Sequence, residues 1–207
     1  MKALQLIKYG EFKESLAFNE VDKPEVKAKD VLIEVKAAAI NPIDKSIVLG
    51  NLQAMLPIPF PSGIAYDVSG VVTAKGNEVS DFEIGDLVYS RVPQEQMGTI
   101  AEYVAVTSAA VAKKPGNISF EEAASIPLAG LTALQSLEYA EIKENDKVLI
   151  HAGSGGVGSF AIQYAKAKGA YVYTTTSSAN VAWVKELGAD EVIDYKTTDY
   201  KSIVKDV

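Results

Sequence analysis

One stretch constrains this chain more than any other: His151-Ala152-Gly153-Ser154-Gly155-Gly156-Val157-Gly158, set between the apolar run Lys147–Ile150 and an amphipathic helical pattern. Gly153, Gly155 and Gly158 give the spacing G-x-G-x-x-G in a strand–turn–helix setting. Glycines at these points serve a tight turn, close approach of the backbone to a pyrophosphate, and close packing of helix on strand. The helix that opens here turns unpaired N–H groups and the positive end of its dipole toward the anion. The stretch therefore reads as a phosphate cradle formed by Gly153, Ser154, Gly155, Gly156, Val157 and Gly158.

The pattern downstream supports that reading. Phe160, Ala161, Tyr164 and Ala165 recur at helical spacing until Gly169, a natural residue for a helix C-terminus. Residues 171–175 then form a β-branched and aromatic strand, Ser177 or Ser178 can cap a helix bearing Val181, Val184 and Leu187, and Gly188 precedes a third strand, Glu191–Asp194. Strand, helix, strand, helix, strand in this order implies a parallel sheet with right-handed crossovers, the first half of a dinucleotide-binding fold.

Composition narrows the class of partners. With 207 residues, 48% of them apolar, the chain can bury one good core or two modest ones. A net charge of −7 argues against a nucleic-acid binder or a protein of anionic membrane surfaces, both of which need a basic face. Cysteine is absent from the 207 residues, so thiolate chemistry, disulfides and cysteine-rich zinc sites are excluded for them. No signal-peptide pattern opens the sequence and no apolar run approaches the length of a membrane span, so the expected setting is cytoplasmic.

Residues 1–115 have a different character. Short β-type runs at 3–8, 16–21, 31–39, 69–74, 87–92 and 103–106 alternate with Gly, Pro, Asn and Asp turns, which predicts an antiparallel, barrel-like domain. In the third run Val31, Ile33, Val35 and Ala37 share one face, opposite Glu34 and Lys36. The proline-rich tract 56–61 is expected to be an ordered, extended loop. Ser119 and Glu122 make a capping box for a helix near Phe120, Pro127 interrupts it, and Leu128, Leu131, Leu134 and Leu137 form a second helical stripe. The predicted domains are residues 1–120 and 121–207.

Several motifs coincide with one family: Asn41-Pro42-Ile43-Asp44, Asp67-Val68-Ser69-Gly70-Val71-Val72, Gly85-Asp86, Ala101-Glu102-Tyr103, Leu131-Thr132-Ala133, the loop 152–158, and Leu187-Gly188-Ala189-Asp190. Across its length the chain resembles the zinc-independent quinone oxidoreductases of the medium-chain dehydrogenase/reductase superfamily. The resemblance implies an α/β protein, a GroES-like β-barrel domain followed by the first half of a Rossmann NADP-binding domain. It also implies NADPH as hydride donor, a small-molecule quinone or enone as substrate, no metal, and a homodimer in the full-length form. By the same resemblance Asn41 sits beside the nicotinamide and orients the substrate carbonyl, with Asp44 nearby and Thr132 on the cofactor, while Ser177 and Tyr195 contact the 2′-phosphate.

Each assignment has a structural rival. Asn41-Pro42 can be a turn, Asp44 a helix cap, and Thr132 can back-bond to its own helix. Asp67 and Asp86 read as braces for turns, and His151, the single histidine, as a strand-end residue bonded to backbone. In the region where NAD-preferring sites carry an acid, residues 173–180 have none, and Thr and Ser hydroxyls there are candidate donors to a 2′-phosphate. Ala179 departs from the family, which commonly has Lys or Arg at that position, so only moderate discrimination against NADH is expected; Ala65 departs too, where the family usually has Gly. A six-stranded dinucleotide fold would continue past residue 207, so the expectation is a truncated product, a fragment or one half of an assembly, with strand Lys147–Ile150 an apolar edge. A truncated non-catalytic remnant retaining at most partial nucleotide binding is the alternative to an enzyme.

Overall fold

A computed structural model describes residues 1–205. The chain forms two compact units, Met1–Leu128 and Ala129 onward. In order, the first contains β1 (Lys2–Leu6), α1 (Phe12–Ser15), β2 (Leu16–Glu20), β3 (Asp30–Ala39), α2 (Pro42–Val48), β4 (Ser62–Gly63), β5 (Asp67–Lys75), β6 (Leu87–Arg91), β7 (Tyr103–Thr107), β8 (Val111–Lys113) and α3 (Phe120–Ala124). Helix α4 (Pro127–Tyr139) carries the division between units after its second residue, followed by β9 (Lys147–Ile150), α5 (Gly156–Ala167), β10 (Tyr171–Thr176), α6 (Val181–Glu186) and β11 (Glu191–Asp194).

The first unit is antiparallel throughout, with sheets ordered β7-β3-β5-β6-β8 and β2-β1-β4. Its core gathers Leu6, Val31, Ile33, Tyr66, Val68, Val72, Val88, Val92 and Val106. The alternation expected in β3 holds only in part. Leu32 is buried together with Val31 and Ile33, and the register against β5 shifts between Leu32 and Ile33 and again between Val35 and Ala37. Such bulges put two residues of one strand against one of its neighbour and re-aim the side chains beyond them. Strands β4 and β8, of two and three residues, are too short to show a period and escape sequence reading.

Helix α3 goes with the barrel, packing on β3 and β5. Its capping box forms as the sequence predicts: Ser119 Oγ accepts from the Glu122 N–H at 3.1 Å, and the Glu122 carboxylate accepts from the Ser119 N–H at 2.7 Å. Ser119→Ala is expected to lower the unfolding free energy by about 1 kcal/mol, readable by urea titration. No change would show that this helix end is held by tertiary packing alone.

The leucine stripe predicted for α4 is met in part: Leu137 is buried and Leu128 and Leu134 are half-buried, but Leu131 is exposed, while Ala129 and Ala133 are buried. Positions four apart stay on one side of a 3.6-residue helix, whereas leucines three apart drift round it, and alanines let a helix approach its neighbour closely.

In the second unit β11, β10 and β9 form a parallel sheet in that order, with α5 packed on β9 and β10 and α6 on β10 and β11. Strand β9 is an edge of this sheet among the described residues, with Val148 and Leu149 only partly buried. The core collects Ile150, Ala161, Ile162, Ala165, Val172, Val184 and Ile193.

Candidate functional site

The glycine loop is held by the strand beside it. Three consecutive threonines of β10 are buried, one tied to the end of β9 and two to the loop that follows it. Thr174 Oγ1 donates to the Ile150 carbonyl at 2.7 Å, Thr175 Oγ1 accepts from the Ala152 N–H at 3.1 Å, and Thr176 Oγ1 donates to Ser154 Oγ at 2.8 Å. A backbone bond from Gly153 N–H to the Thr175 carbonyl, 2.9 Å, completes the attachment. In sequence these threonines read as donors to a 2′-phosphate. The structure corrects that: their hydroxyls are turned into the loop and committed there.

The same contacts explain the glycines. A Cβ at Gly153 would overlap Thr174 Oγ1 and reach Ile162 Cδ1 at 2.9 Å, and one at Gly158 would overlap the Ala152 carbonyl and meet Gly153 Cα at 2.8 Å. Both positions exclude side chains by packing. Gly155 caps α5, and the first bond inside the helix runs from the Ser159 N–H to the Gly155 carbonyl at 2.9 Å. The N–H groups of Gly156, Val157 and Gly158 precede that bond and have no partner within the helix, the arrangement that suits a phosphate.

Parallel pairing places the ends of β10 and β11 side by side, with Thr176 opposite Asp194 and the Tyr195 N–H donating to the Thr176 carbonyl at 3.2 Å. Ser177 and Tyr195, far apart in sequence, therefore end adjacent strands, and Tyr195 is exposed. Asn180 Nδ2 donates to Ser154 Oγ at 3.1 Å and to Ser177 Oγ at 3.4 Å, joining the loop to this end of the sheet. The strand pairing also brings an acid that the local sequence lacks. Asp194 accepts a hydrogen bond from Ser178 Oγ and one from the Lys196 N–H at 3.0 Å, and these two donors hold its carboxyl below the usual range. His151 does not bond backbone as expected. Its Nδ1 lies 3.2 Å from Thr175 Oγ1 and its ring meets the edge of Tyr200 at 4.9 Å.

In the first unit, Asn41 and Asp44 open α2. The Asn41 N–H donates to Asp44 Oδ2 at 2.6 Å and the Asp44 N–H donates to the Asn41 carbonyl at 3.0 Å, so Asp44 does act as a helix-terminal brace. It is 2% exposed and its Oδ1 has no partner, and burial pushes its carboxyl up against the pull of the Asn41 N–H. Asn41 Nδ2 donates to Asp67 Oδ2 at 3.0 Å, and the Leu128 N–H at the start of α4 donates to Asp67 Oδ1 at 3.0 Å. Asp67 is fully buried, and burial lifts it to about 6 against the two hydrogen bonds. Asp67 is thus the residue that sequence reading undervalued. Thr132 is an exposed position of α4, in the second unit.

Both units match known families: residues 27–116 the Alcohol dehydrogenase GroES-like domain, and residues 156–207 the Zinc-binding dehydrogenase family. The chain is 39% identical to the Quinone-oxidoreductase homolog, chloroplastic, of Spinacia oleracea, over 98% of this chain and 64% of that protein. The solved quinone oxidoreductase of Coxiella burnetii superposes with a TM-score of 0.88 at 41% identity, covering 99% of this chain and 65% of that one. Residues 27–116 belong to the first of these families and residues 156–207 to the second, and the chain as a whole is similar to quinone oxidoreductases of the medium-chain dehydrogenase/reductase superfamily. It is also 40% identical to the NADPH-dependent alkenal/one oxidoreductase, chloroplastic, of Arabidopsis thaliana, over 94% of this chain and 52% of that protein. It spans just under two thirds of the length of the spinach relative and about half of the Arabidopsis one.

The donor set does not fit the zinc that the second family's description carries. The 207 residues hold no cysteine and a single histidine, and among the described residues no cluster of His, Cys, Asp and Glu could ligate a metal. Among the described residues no helix is long and apolar enough to cross a membrane.

Proposed function

We propose that this chain serves NADPH-dependent, zinc-independent reduction of quinones or α,β-unsaturated carbonyls. The observation that carries the reading is the loop 153–158. Packing excludes side chains at Gly153 and Gly158, the buried Thr175 and Thr176 tie the loop to β10, and it opens a helix whose first N–H groups have no partner within the helix. The Arabidopsis relative's NADPH dependence and alkenal/one acceptors, and the spinach relative's quinone label, support the choice of cofactor and acceptors.

In this reading Gly153, Ser154, Gly155, Gly156, Val157 and Gly158 hold the pyrophosphate, and Ser177 and Tyr195 the 2′-phosphate. NADPH bound there supplies the hydride. Asn41 donates an N–H to the acceptor oxygen and polarises it, Asp44 fixes the turn from which Asn41 projects, and Thr132 contacts the cofactor. No metal participates: the residues present offer no thiolate or histidine cluster to hold one. A domain border near residue 120, a small-molecule acceptor, a cytoplasmic setting and a homodimer of the full-length protein belong to the same reading; the relatives cited carry chloroplastic names.

Discrimination between the two nicotinamide cofactors is expected to be modest. Ala179 offers no cation, and the Asp194 carboxylate stands beside Ser178. One missing charged hydrogen bond is worth about 1.5–3 kcal/mol, so the preference for NADPH should stay below about a hundredfold. Calorimetric titration with both cofactors, followed by oxidation of NADPH in the presence of benzoquinone or cyclohexenone, tests the proposal. Tighter binding of NADH would sink the cofactor assignment. Binding of NADPH without turnover would leave only a nucleotide-binding protein.

A further inference from the structure

Asn41 is useful as a hydrogen-bonding group only if its amide faces outward by a defined end. A side-chain amide has a donor end and an acceptor end, nearly equal in shape, and its neighbours decide which is presented. Here the neighbour is Asp67. Its Oδ2 lies 3.0 Å from Asn41 Nδ2, its Oδ1 accepts the Leu128 N–H at 3.0 Å, and it has no exposure to solvent. An ionised carboxylate only accepts, so it holds the NH2 end of Asn41, turns the amide oxygen toward the Asp44 N–H in the capping box that opens α2, and leaves the second N–H for a ligand.

We propose that Asp67 is a positioning residue whose protonation reverses the Asn41 amide and so sets which hydrogen-bonding groups Asn41 presents. On protonation, a proton from solvent forms an Oδ2–H bond. That hydroxyl donates to Asn41 Oδ1 once the amide turns over, while Oδ1 of Asp67 keeps its bond from the Leu128 N–H. In either state the Asp44 N–H keeps the Asn41 carbonyl as its partner and the Leu128 N–H keeps Asp67. The inference rests on the reading of Asn41 as the acceptor-binding residue for its consequence in catalysis, but not for the coupling itself.

The charges around Asp67 set where the exchange falls. Asp44, from α2, raises its carboxyl and Arg91, from β6, lowers it, while Arg91 also lies over the Tyr66 ring at 4.8 Å, next to Asp67 in the chain. The stretch of β3 opposite Asp67 is Ala37, Ala38 and Ala39, and the first residues of α4 are Pro127, Leu128 and Ala129, all uncharged. Glu121 and Glu122 of α3 are exposed. Burial dominates and raises the carboxyl to about 6.

Proton–nitrogen NMR of the Asn41 side-chain amide and carbon NMR of the Asp67 carboxyl, followed from pH 4.5 to 8.5 on the 207-residue chain, test the coupling without requiring turnover. The Asn41 signals are expected to shift with the same midpoint as the Asp67 carboxyl, and in Asp67→Asn, whose amide donates to Asn41 at every pH, to stay at their low-pH position. Asn41 signals that ignore the Asp67 midpoint, or that still titrate in Asp67→Asn, overturn the proposal. Reductase assays then separate the two readings. If Asn41 binds the acceptor, kcat/KM in the parent changes with the same midpoint as the Asp67 carboxyl, and in Asp67→Asn it is flat across that range. If the NMR coupling is present and Asn41→Ala turns over normally, the coupling stands and the role proposed for Asn41 fails.

Discussion

Gly158→Ala is expected to cost about 1–3 kcal/mol of stability and to remove NADPH binding. The added methyl has no free direction to move. It would overlap the Ala152 carbonyl and sit 2.8 Å from Gly153 Cα, both backbone atoms of the loop itself, so the first turn of α5 must separate from the loop to admit it. That separation displaces the N–H groups of Gly156, Val157 and Gly158 from the geometry in which we propose that they hold the pyrophosphate. Gly156→Ala is the stability control. Its Cβ would meet only the Ala129 Cβ, at an ordinary 3.5 Å, and the change should stay within about 0.5 kcal/mol of the parent. Calorimetric titration with NADPH and thermal melts of both variants decide the matter. Micromolar binding by Gly158→Ala would show that the loop tolerates opening and that its glycines serve something other than a phosphate.

A second large effect concerns pH. Asp67 carries a carboxyl raised from 3.8 to about 6, chiefly by burial, with Asp44 adding to the rise and the donors Asn41 and Leu128 and the Arg91 charge opposing it. A raised acid favours the folded state while protonated in both states. Its contribution is therefore complete below about pH 4 and is lost as pH climbs through 6. The gap corresponds to about 2–3 kcal/mol. Asp67→Asn cannot ionise, so its unfolding free energy relative to the parent should improve by that amount between pH 4 and pH 8, with the change finished by about pH 7. Urea unfolding of both proteins at the two pH values measures it, and the subtraction removes carboxylates such as Asp86, Asp190 and Asp194, which are held low and act in the opposite sense. A variant that loses ground to the parent as pH rises would mean that the fold stabilises the Asp67 carboxylate.

Much of this was legible in the residues. The strand–glycine-loop–helix pattern and the Ser119–Glu122 cap are local signals, and each forms where it was predicted. The misreadings share one cause, that a residue's environment comes from distant chain. Thr174, Thr175 and Thr176 looked available because nothing near them in sequence claims their hydroxyls; the loop that does begins more than twenty residues earlier. Leu131 looked buried because a leucine spacing was read without knowing which face of α4 would be covered.

The sequence by itself determined that a glycine-rich loop opens a parallel α/β unit after an antiparallel barrel, because glycine spacing and hydrophobic period act over a few residues. Only the tertiary structure decided that Asp67 grips Asn41 and Leu128, residues 26 and 61 positions away, and that Asp194 stands beside Ser178. Strand pairing and burial bring such groups together, and a carboxyl's charge state depends on what surrounds it, which sequence distance does not encode.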